Sequence, residues 1–417
     1  MESLKKIILG ADRYFRTFWR WLAAACLTGS VCGLVGSAFN LTVSRVTELR
    51  LSSPWLIWLL PLGGLFIAAL YRVTKTEGEG TNNIIDSIHF GERVPLLLVP
   101  VIFVSTAVTH LLGGSAGREG AALQIGGGIG YHLGKALRLD DKDMRLITLC
   151  GMSAVFSALF GTPLTAAVFA LEVISVGILH YSGLVPCIVA SLVAYAISLL
   201  LGIEPTHYAL AAVPLDVLMV VRVSILAAIC AVVSIVFCVT MHKTEHLAKT
   251  LVKNVWLRAA VGGVLIVGLT HILGTDAYNG TGESVISSAI LNGTAPGWGF
   301  LWKIVFTAVT IGFGFRGGEI VPTFFIGATL GCAVGTVLGM PPQLAAAVGL
   351  VAMFCGAVNC PVASIILSVE LFGSEGLIYF ALACGISYML SGYFGIYNSQ
   401  KIMYSKTRAE FIDRFAE

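Results

Sequence analysis

Long apolar runs recur along the whole of this 417-residue chain, and they restrict its fold more than any other feature. A helix that crosses a bilayer needs about 20 predominantly apolar residues. Charged residues make up only 12% of the chain, whereas soluble domains carry about 25%. We therefore predict an all-α polytopic membrane protein. Runs of helix length occupy about 21–46, 54–72, 94–112, 183–201, 213–239, 256–274 and 299–315.

The basic residues cluster in three places, although the net charge of +3 is too small to favour a nucleic-acid binder. We predict that the protein lies in the inner (plasma) membrane. By the positive-inside rule, its cytoplasmic parts are the N-terminal segment 1–19, the central segment 241–258 and the tail 398–417. The basic residues behind this prediction are Lys5, Lys6, Arg13, Arg16, Arg20, Lys243, Lys249, Lys253, Arg258, Lys401, Lys406, Arg408 and Arg414.

The ten cysteines lie almost entirely inside apolar runs, and no pair has the C-x-x-C spacing of a metal site. We interpret them as small buried hydrophobic residues. The sequence also shows no nucleophile–base pair and no soluble domain. We therefore expect a protein that is not an enzyme and that has no metal site and no cofactor.

An internal repeat with an offset near 200 residues divides the chain into halves of about 20–200 and 213–397. Interrupted apolar segments at matching positions of two halves indicate a transporter site. An even number of crossings in each half, favoured by the central basic segment, would make the repeats parallel. The broken segments leave that number open. The matched pairs are Gly78/Gly280, Gly80/Gly282, Gly114/Gly314, Gly117/Gly317, Glu119/Glu319, Pro163/Pro361 and Glu172/Glu370.

The stretch GGSAGREGAALQIGGG at 113–128 has the pattern of an anion site. Glycines such as Gly117 and Gly120 allow close backbone approach, and the helix that follows presents free N–H groups at its start. Glu119 at that start can occupy the place of the anion, and we predict a gate that also carries protons. The alternative is an ordinary N-terminal helix acid. Arg118 either attracts anions or holds the loop.

The second stretch, GFGFRGGEIVPTFFIG at 312–327, repeats this logic. The backbone of Gly318, Ile320 and Val321 is predicted to face the anion. Glu319 places a second acid beside the site, and we interpret it as a second proton stop. The alternative is a carboxylate paired with Arg316 or Arg118.

Polar residues in two further segments complete the candidate site. Gly80, Thr81, Asn82 and Asn83 offer a backbone amide, a hydroxyl and side-chain amides, which suit anion binding and also helix capping. Near the C-terminus, Tyr393 and Tyr397 offer phenol hydroxyls, with an interfacial position as the alternative.

Glu172 and Glu370 lie at equivalent repeat positions in apolar stretches. We favour a structural role at helix breaks over a proton relay, because both halves keep the residue.

These motifs resemble the CLC family of anion channels and proton-coupled anion antiporters. GREGA at 117–121 resembles the block whose glutamate is the external gate, and GGEIVP at 317–322 resembles a second anion-binding block. The resemblance implies a CLC-type transmembrane domain over 20–397 with two inverted repeats and broken, re-entrant helices. It also implies a homodimer with one anion pathway per subunit. Helix N-termini of the three Gly-rich blocks and Tyr397 would form each anion site.

The departures from the family pattern resemble its fluoride-exporting branch. GEGTNN lacks the usual anion-binding serine and proline, Glu319 and Ile320 replace other residues, and Val173 stands where chloride antiporters carry an inner glutamate. The short tail lacks a nucleotide-binding regulatory pair. We therefore predict an antiporter that exports fluoride against inward proton movement. A chloride/proton antiporter and a passive chloride channel are the alternatives.

Overall fold

The computed structural model describes residues 2–211 and 213–417, with side chains for residue 12 and from residue 14 onward in those ranges. The side chains of Lys5, Lys6 and Arg13 lie outside this description. In the described part, sixteen α-helices are joined by short loops and followed by a small sheet. The helices are α1 Glu2–Ser52, α2 Leu60–Thr74, α3 Thr81–Phe90, α4 Leu98–Leu111, α5 Glu119–Ala136, α6 Asp141–Phe160, α7 Pro163–Glu172, α8 Leu184–Leu200, α9 Val217–Leu251, α10 Val255–Leu273, α11 Glu283–Leu291, α12 Gly299–Gly312, α13 Ile320–Val337, α14 Pro342–Val358, α15 Pro361–Phe372 and α16 Leu377–Leu390. Short 3-10 turns occupy Pro54–Leu59 and Tyr181–Gly183.

Seven helical segments of the described chain are long and apolar enough to span a membrane. The remaining apolar helices have 10–17 residues, as the interrupted pattern predicts. Two predicted runs are shorter than expected, because α4 and α12 each have 14 residues. Glycines with positive φ, Gly113 at 88° and Gly314 at 109°, follow both helices and turn the chain away.

The two halves break their helices in the same way. Gly161, in the left-handed conformation, ends α6, and Pro163 begins α7 two residues later. Asn359 ends α14 in the same conformation, and Pro361 begins α15. A left-handed C-cap followed by proline at the next helix start is a physical stop–start signal. The order of helices α1–α8 is thus repeated in α9–α16.

The core lies where the two halves meet. The apolar segments of α6 and α13 have 78% of their residues buried inside the protein. The corresponding share in the other five long segments is 33–44%, so more of their surface is left for lipid. The N-termini of α5 and α13 are therefore enclosed by protein. Irregular backbone at membrane depth requires this enclosure.

The C-terminal tail forms a three-stranded sheet that the sequence analysis did not predict. Strand β2 Lys401–Tyr404 pairs in parallel with β1 Ser175–Val176 and antiparallel with β3 Phe411–Phe415. These strands are short, and their partners are distant in sequence, so local periodicity gives little sign of them. The helical fold class is confirmed, with this sheet as an addition. At the other end, the predicted segment 1–19 continues from residue 2 into the single helix α1.

Candidate anion-binding site

The starts of α5 and α13 meet through a two-residue antiparallel bridge between the halves. Gly117 N–H donates to Gly318 O at 2.6 Å, and Gly318 N–H donates to Gly117 O at 2.7 Å. Each of the two N–H groups therefore already has a carbonyl acceptor in the other half. These two predicted site residues must be small for the two chain segments to approach so closely. A Cβ on Gly318, for example, would lie 2.4 Å from the nitrogen of Gly120.

The carboxylate of Glu119 lies at this junction and is fully buried. Its Oε2 accepts a hydrogen bond from Val321 N–H, at the start of α13, at 3.2 Å. A Cβ on Gly117 would lie 2.0 Å from the same oxygen. Oε1 has no protein partner in the described part of the chain. A negative group thus occupies the position where the amides of a helix start would otherwise bind an anion.

The second acid, Glu319, precedes α13 and lines a cavity beside the junction. One of its oxygens lies 3.3 Å from the position that a Cβ on Gly120 would take. No ion pair joins Glu319 to Arg118 or Arg316 among the described residues. Instead, the Arg316 guanidinium lies over the Tyr71 ring at 4.2 Å.

Arg118 adopts the structural alternative. Its guanidinium donates to Asn40 Oδ1 at 2.8 Å and to Glu283 Oε1 at 3.2 Å. These bonds fix the loop just before Glu119.

The cavity beside Glu319, here called the inner cavity, has a volume of about 170 Å³. Tyr397 lines it; its side chain is 2% exposed, and its hydroxyl has no partner among the described residues. A buried phenol without a partner is a donor available to an anion or carboxylate. Tyr393 lies elsewhere, because its hydroxyl bonds to Ser405 Oγ at 2.9 Å. The inner cavity is lined by Gly78, Gly80, Thr81, Asn82, Asn83, Gln124, Met241, His242, Glu245, Ile311, Gly312, Phe315, Arg316, Gly317, Glu319, Ile396, Tyr397 and Asn398.

The start of α3 brings the predicted polar residues into the inner cavity in different roles. Asn83 Oδ1 accepts the Gly80 N–H at 2.8 Å, which is a helix cap. Thr81 Oγ1 donates to Gly120 O at 3.4 Å. Asn82 Oδ1 accepts Ser399 N–H at 3.2 Å, and its NH₂ group has no partner in the described residues. The NH₂ group of Asn83 also has no partner among the described residues, so Asn82 and Asn83 both keep side-chain donors available on the inner cavity.

Each half also stabilises a helix start of the other. Glu172 accepts hydrogen bonds from the amides of Val362 and Ala363 at 3.1 and 2.8 Å. Glu370 accepts from the amides of Leu164 and Thr165 at 2.9 and 2.8 Å. The geometry matches the structural role that we favoured for both acids.

Sequence reasoning missed several polar groups around the site. Lys303 is fully buried, and its ammonium donates to Tyr278 O at 3.1 Å and Gly280 O at 2.7 Å. A lone lysine in the apolar run 299–315 was the available signal. His242 and Glu245 of α9 line the inner cavity. They lie in the hydrophilic central segment, which we read only for its charge.

Two carboxylates and a phenol lie at the junction or on the inner cavity beside it. Glu119 lies at the junction, while Glu319 and Tyr397 line the inner cavity. Ile320 is buried at the start of α13, beside Val321. Backbone amides, side-chain amides and a phenol bind small anions, and carboxylates exchange protons. The site can thus hold an anion and a proton carrier next to each other.

Comparisons with known proteins agree with this geometry. Residues 63–392 match the family described as voltage gated chloride channel. A "chloride/fluoride channel protein" of Pseudomonas syringae pv. tomato is 39% identical over 396 residues, covering 93% of this chain and 87% of that protein. The crystal structure of a CLC-type fluoride/proton antiporter superposes with a TM-score of 0.89 at 31% identity, covering 92% of this chain and 98% of that one.

A slow cyanobacterial Cl⁻/H⁺ antiporter superposes with a TM-score of 0.75, covering 89% of this chain and 94% of that one. At 18% identity this likeness shows the fold alone. These matches confirm the CLC-type fold with its inverted repeats, which decides the orientation that counting crossings left open. They also agree with a multi-pass membrane protein that is not an enzyme. The chain therefore belongs to the CLC family, described as voltage gated chloride channels.

Proposed function

We propose that this protein is a fluoride/proton antiporter that moves fluoride out of the cell as protons move in. The observation that carries the proposal is the contact between Glu119 Oε2 and Val321 N–H at the junction of the two halves. A carboxylate that occupies an anion position competes directly with the transported anion.

Competition at the junction supplies the coupling. When fluoride takes the amide of Val321, two adjacent negative charges repel, which favours protonation of Glu119 and its withdrawal. Protonated Glu119 no longer competes for the amide. Return of the carboxylate after proton release expels the anion. In this scheme Glu119 is both the gate and the proton carrier.

Glu319 serves as the second proton stop. It precedes α13 and lines the inner cavity, with Tyr397 on the same cavity. From this position Glu319 would accept a proton released by Glu119 and pass it toward the inner cavity. The scheme does not require an inner glutamate at position 173, where the chain has a buried valine.

The donors around the inner cavity support fluoride as the anion. Fluoride is small and strongly hydrated, so its dehydration requires several close donors. Asn82 and Tyr397 offer unpartnered donors on one cavity, and the Val321 amide lies at the junction. The relatives described as a chloride/fluoride channel and a fluoride/proton antiporter support the same anion.

The membrane setting of this proposal follows the charge pattern. We place both termini in the cytoplasm and the protein in the inner (plasma) membrane, because basic residues flank the first and last spans. A homodimer with one pathway per subunit is part of the proposal, on the family resemblance. Mass measurement in lipid nanodiscs tests this state, and a monomer would contradict it.

Substitution of the two acids in liposomes tests the mechanism. We expect Glu119→Gln to abolish fluoride-driven proton movement, because the amide cannot deliver a proton. Glu319→Gln is expected to slow proton movement more than fluoride movement. Glu375→Gln, at an exposed acid remote from the inner cavity, is the matched control.

Undiminished proton movement in Glu119→Gln would contradict the gate. Equal or faster exchange of chloride than fluoride in the unsubstituted protein would favour the chloride/proton antiporter. Anion flux without any proton movement would make the protein a passive channel.

A further inference from the structure

A second cavity, whose lining residues differ from those of the candidate site, combines basic side chains with apolar ones. It has a volume of about 470 Å³ and lies between α3, the start of α6, the loop before α8 and the tail sheet. We call it the basic pocket. Its basic residues are His89, Lys142, Arg145, His180 and Lys401, and its other lining residues are Ile88, Leu146, Leu149, Ser175, Ile178, Ser182 and Met403.

The cations of the basic pocket, Lys142, Arg145 and Lys401, are largely unneutralised. Burial lowers the pKa of His89 and of His180, so these two imidazoles are neutral near pH 7. The side chains of Lys142 and Arg145 are exposed and make no hydrogen bond or ion pair with the described residues. Lys401 contacts Asp413 at 3.6 Å, and no acid is among the residues that line the cavity. His89 Nε2 forms a hydrogen bond with Ile174 O at 3.0 Å. A concave surface of this charge attracts a phosphate-type anion.

The apolar floor and the surroundings favour an amphiphile. Five of the twelve lining residues, Ile88, Leu146, Leu149, Ile178 and Met403, are apolar. Tyr181 beside the pocket is 73% exposed at the start of a membrane-length segment. Exposed tyrosines at span ends are typical of the membrane interface. Basic pockets between spans at such an interface bind anionic lipid headgroups.

The basic pocket also touches two supports of the inner cavity. His89 is near the end of α3, whose first residues include Asn82. Lys401 N–H donates to Ile174 O at 3.2 Å, and the neighbouring Gln400 donates to Val173 O at 2.9 Å, three residues after Tyr397. A ligand here would therefore hold α3 and the tail sheet in fixed relation.

We infer that the basic pocket binds the phosphate headgroup of an acidic phospholipid, with the acyl chains along its apolar floor. The bound lipid holds the start of α3 and Tyr397 in their transport-competent positions. The binding is independent of the proposed function, whereas the effect on transport rests on it.

Lipid titration in detergent tests the binding without any transport. The probes are phosphatidylglycerol and phosphatidylcholine, followed by native mass spectrometry. We expect the protein to retain phosphatidylglycerol in preference to phosphatidylcholine. In the double variant Lys142→Gln/Arg145→Gln the affinity for phosphatidylglycerol should fall about 25-fold, because each cation contributes about fivefold. Arg145→Lys alone keeps the charge and should bind almost normally. The control Lys243→Gln/Lys253→Gln removes two exposed cations elsewhere and should bind as the unsubstituted protein does.

Three results would overturn the inference. One is equal retention of both lipids, and another is equal phosphatidylglycerol binding by the Lys142/Arg145 variant. The third is displacement of the lipid by inorganic phosphate at comparable concentration, which would make the ligand a free anion. In liposomes with and without phosphatidylglycerol, we expect fluoride flux to fall at least severalfold when the lipid is omitted. Unchanged flux would overturn the coupling, and absence of flux in every liposome would instead refute the proposed function, while the titration still reports on binding.

Discussion

At the scale of single residues, the site depends on where side chains are absent as much as on where they are present. Glu119 reaches the Val321 amide because Gly117 has no Cβ in its path. Each N–H of the bridge glycines donates to the carbonyl of the other glycine, and the carboxylate accepts from the Val321 N–H farther along α13. The position of the proposed gate is thus set by backbone geometry.

Substitution of Gly117 tests this dependence. A methyl group at Gly117 would lie 2.0 Å from Glu119 Oε2, so Gly117→Ala must displace the carboxylate. Because small displacements of a reacting group cost up to about 100-fold in rate, we expect fluoride-driven proton movement to fall at least about tenfold. Liposome flux measures this. Gly268→Ala, where a Cβ meets nothing within 4 Å, is the control. Normal coupling in Gly117→Ala would contradict the placement of the gate.

The tail carries a buried cation with a predictable pH signature. The Lys406 ammonium, outside the membrane spans, donates to Asn359 Oδ1 and Ser391 Oγ. Burial lowers the pKa of Lys406 from 10.5 to about 8. The unfolded chain therefore binds more protons between these values, and the cost of burying the charge is full below pH 8 and disappears above pH 10.5.

We therefore expect Lys406 to contribute a rise in the apparent melting temperature between pH 8 and pH 10. Lys406→Met should remove this contribution. Scanning fluorimetry of both proteins across this range measures the difference. An identical pH profile in the two proteins would contradict a buried, charged Lys406.

At the scale of elements, helix starts and stops decide where the site forms. Pro163 and Pro361 begin α7 and α15, and an acid from the opposite half accepts the first free amides of each helix. A capped helix start inside the protein needs such an acceptor. The reciprocal caps join the two halves without using the anion path.

Loss of either cap should reduce stability and spare coupling. Glu172→Ala or Glu370→Ala leaves two amides without an acceptor, at about 2 kcal/mol or more. For a chain of 417 residues we expect the apparent melting temperature to fall by about 2 °C or more, with the proton-to-fluoride ratio unchanged. Glu375→Ala, at an exposed acid of the loop after α15, should melt normally. If Glu172→Ala instead loses proton movement but keeps its melting temperature, Glu172 is a proton relay and not a structural cap.

The elements also show what sequence can and cannot predict. The Gly-rich blocks predicted the three helix starts, because left-handed glycines and helix-start signals are local. The bond between Gly117 and Gly318, the orientation of Asn82 and the tail sheet all join segments that are distant along the chain. No local periodicity encodes such contacts. Lys303 was visible as a lone charge, but its two carbonyl partners were not.

At the scale of the whole molecule, both ends of the chain reach one face. Arg20 of α1 pairs with Asp143 at the start of α6, and Arg145 from the same turn lines the basic pocket with Lys401 of the tail. This shared face agrees with an even number of crossings overall. Our proposal, from the positive-inside rule, is that this face is cytoplasmic.

Chemical labelling tests this orientation. Thr407→Cys places a thiol at an exposed tail position, whereas nine of the ten native cysteines are buried. We expect a membrane-impermeant maleimide to label this variant in intact cells only after permeabilisation. The unsubstituted protein measures the background from Cys26. Labelling of intact cells would place the tail outside and contradict the proposed orientation.

The central claim is that fluoride and protons are exchanged at one site, and proton movement driven by an anion gradient tests it most directly. Purified protein in liposomes would receive a fluoride gradient or a chloride gradient while internal pH is followed. The account predicts rapid proton movement opposite to fluoride, little response to chloride, and no fluoride-driven proton movement in Glu119→Gln. Chloride-driven proton movement equal to that with fluoride, or fluoride flux with no change in internal pH, would contradict it.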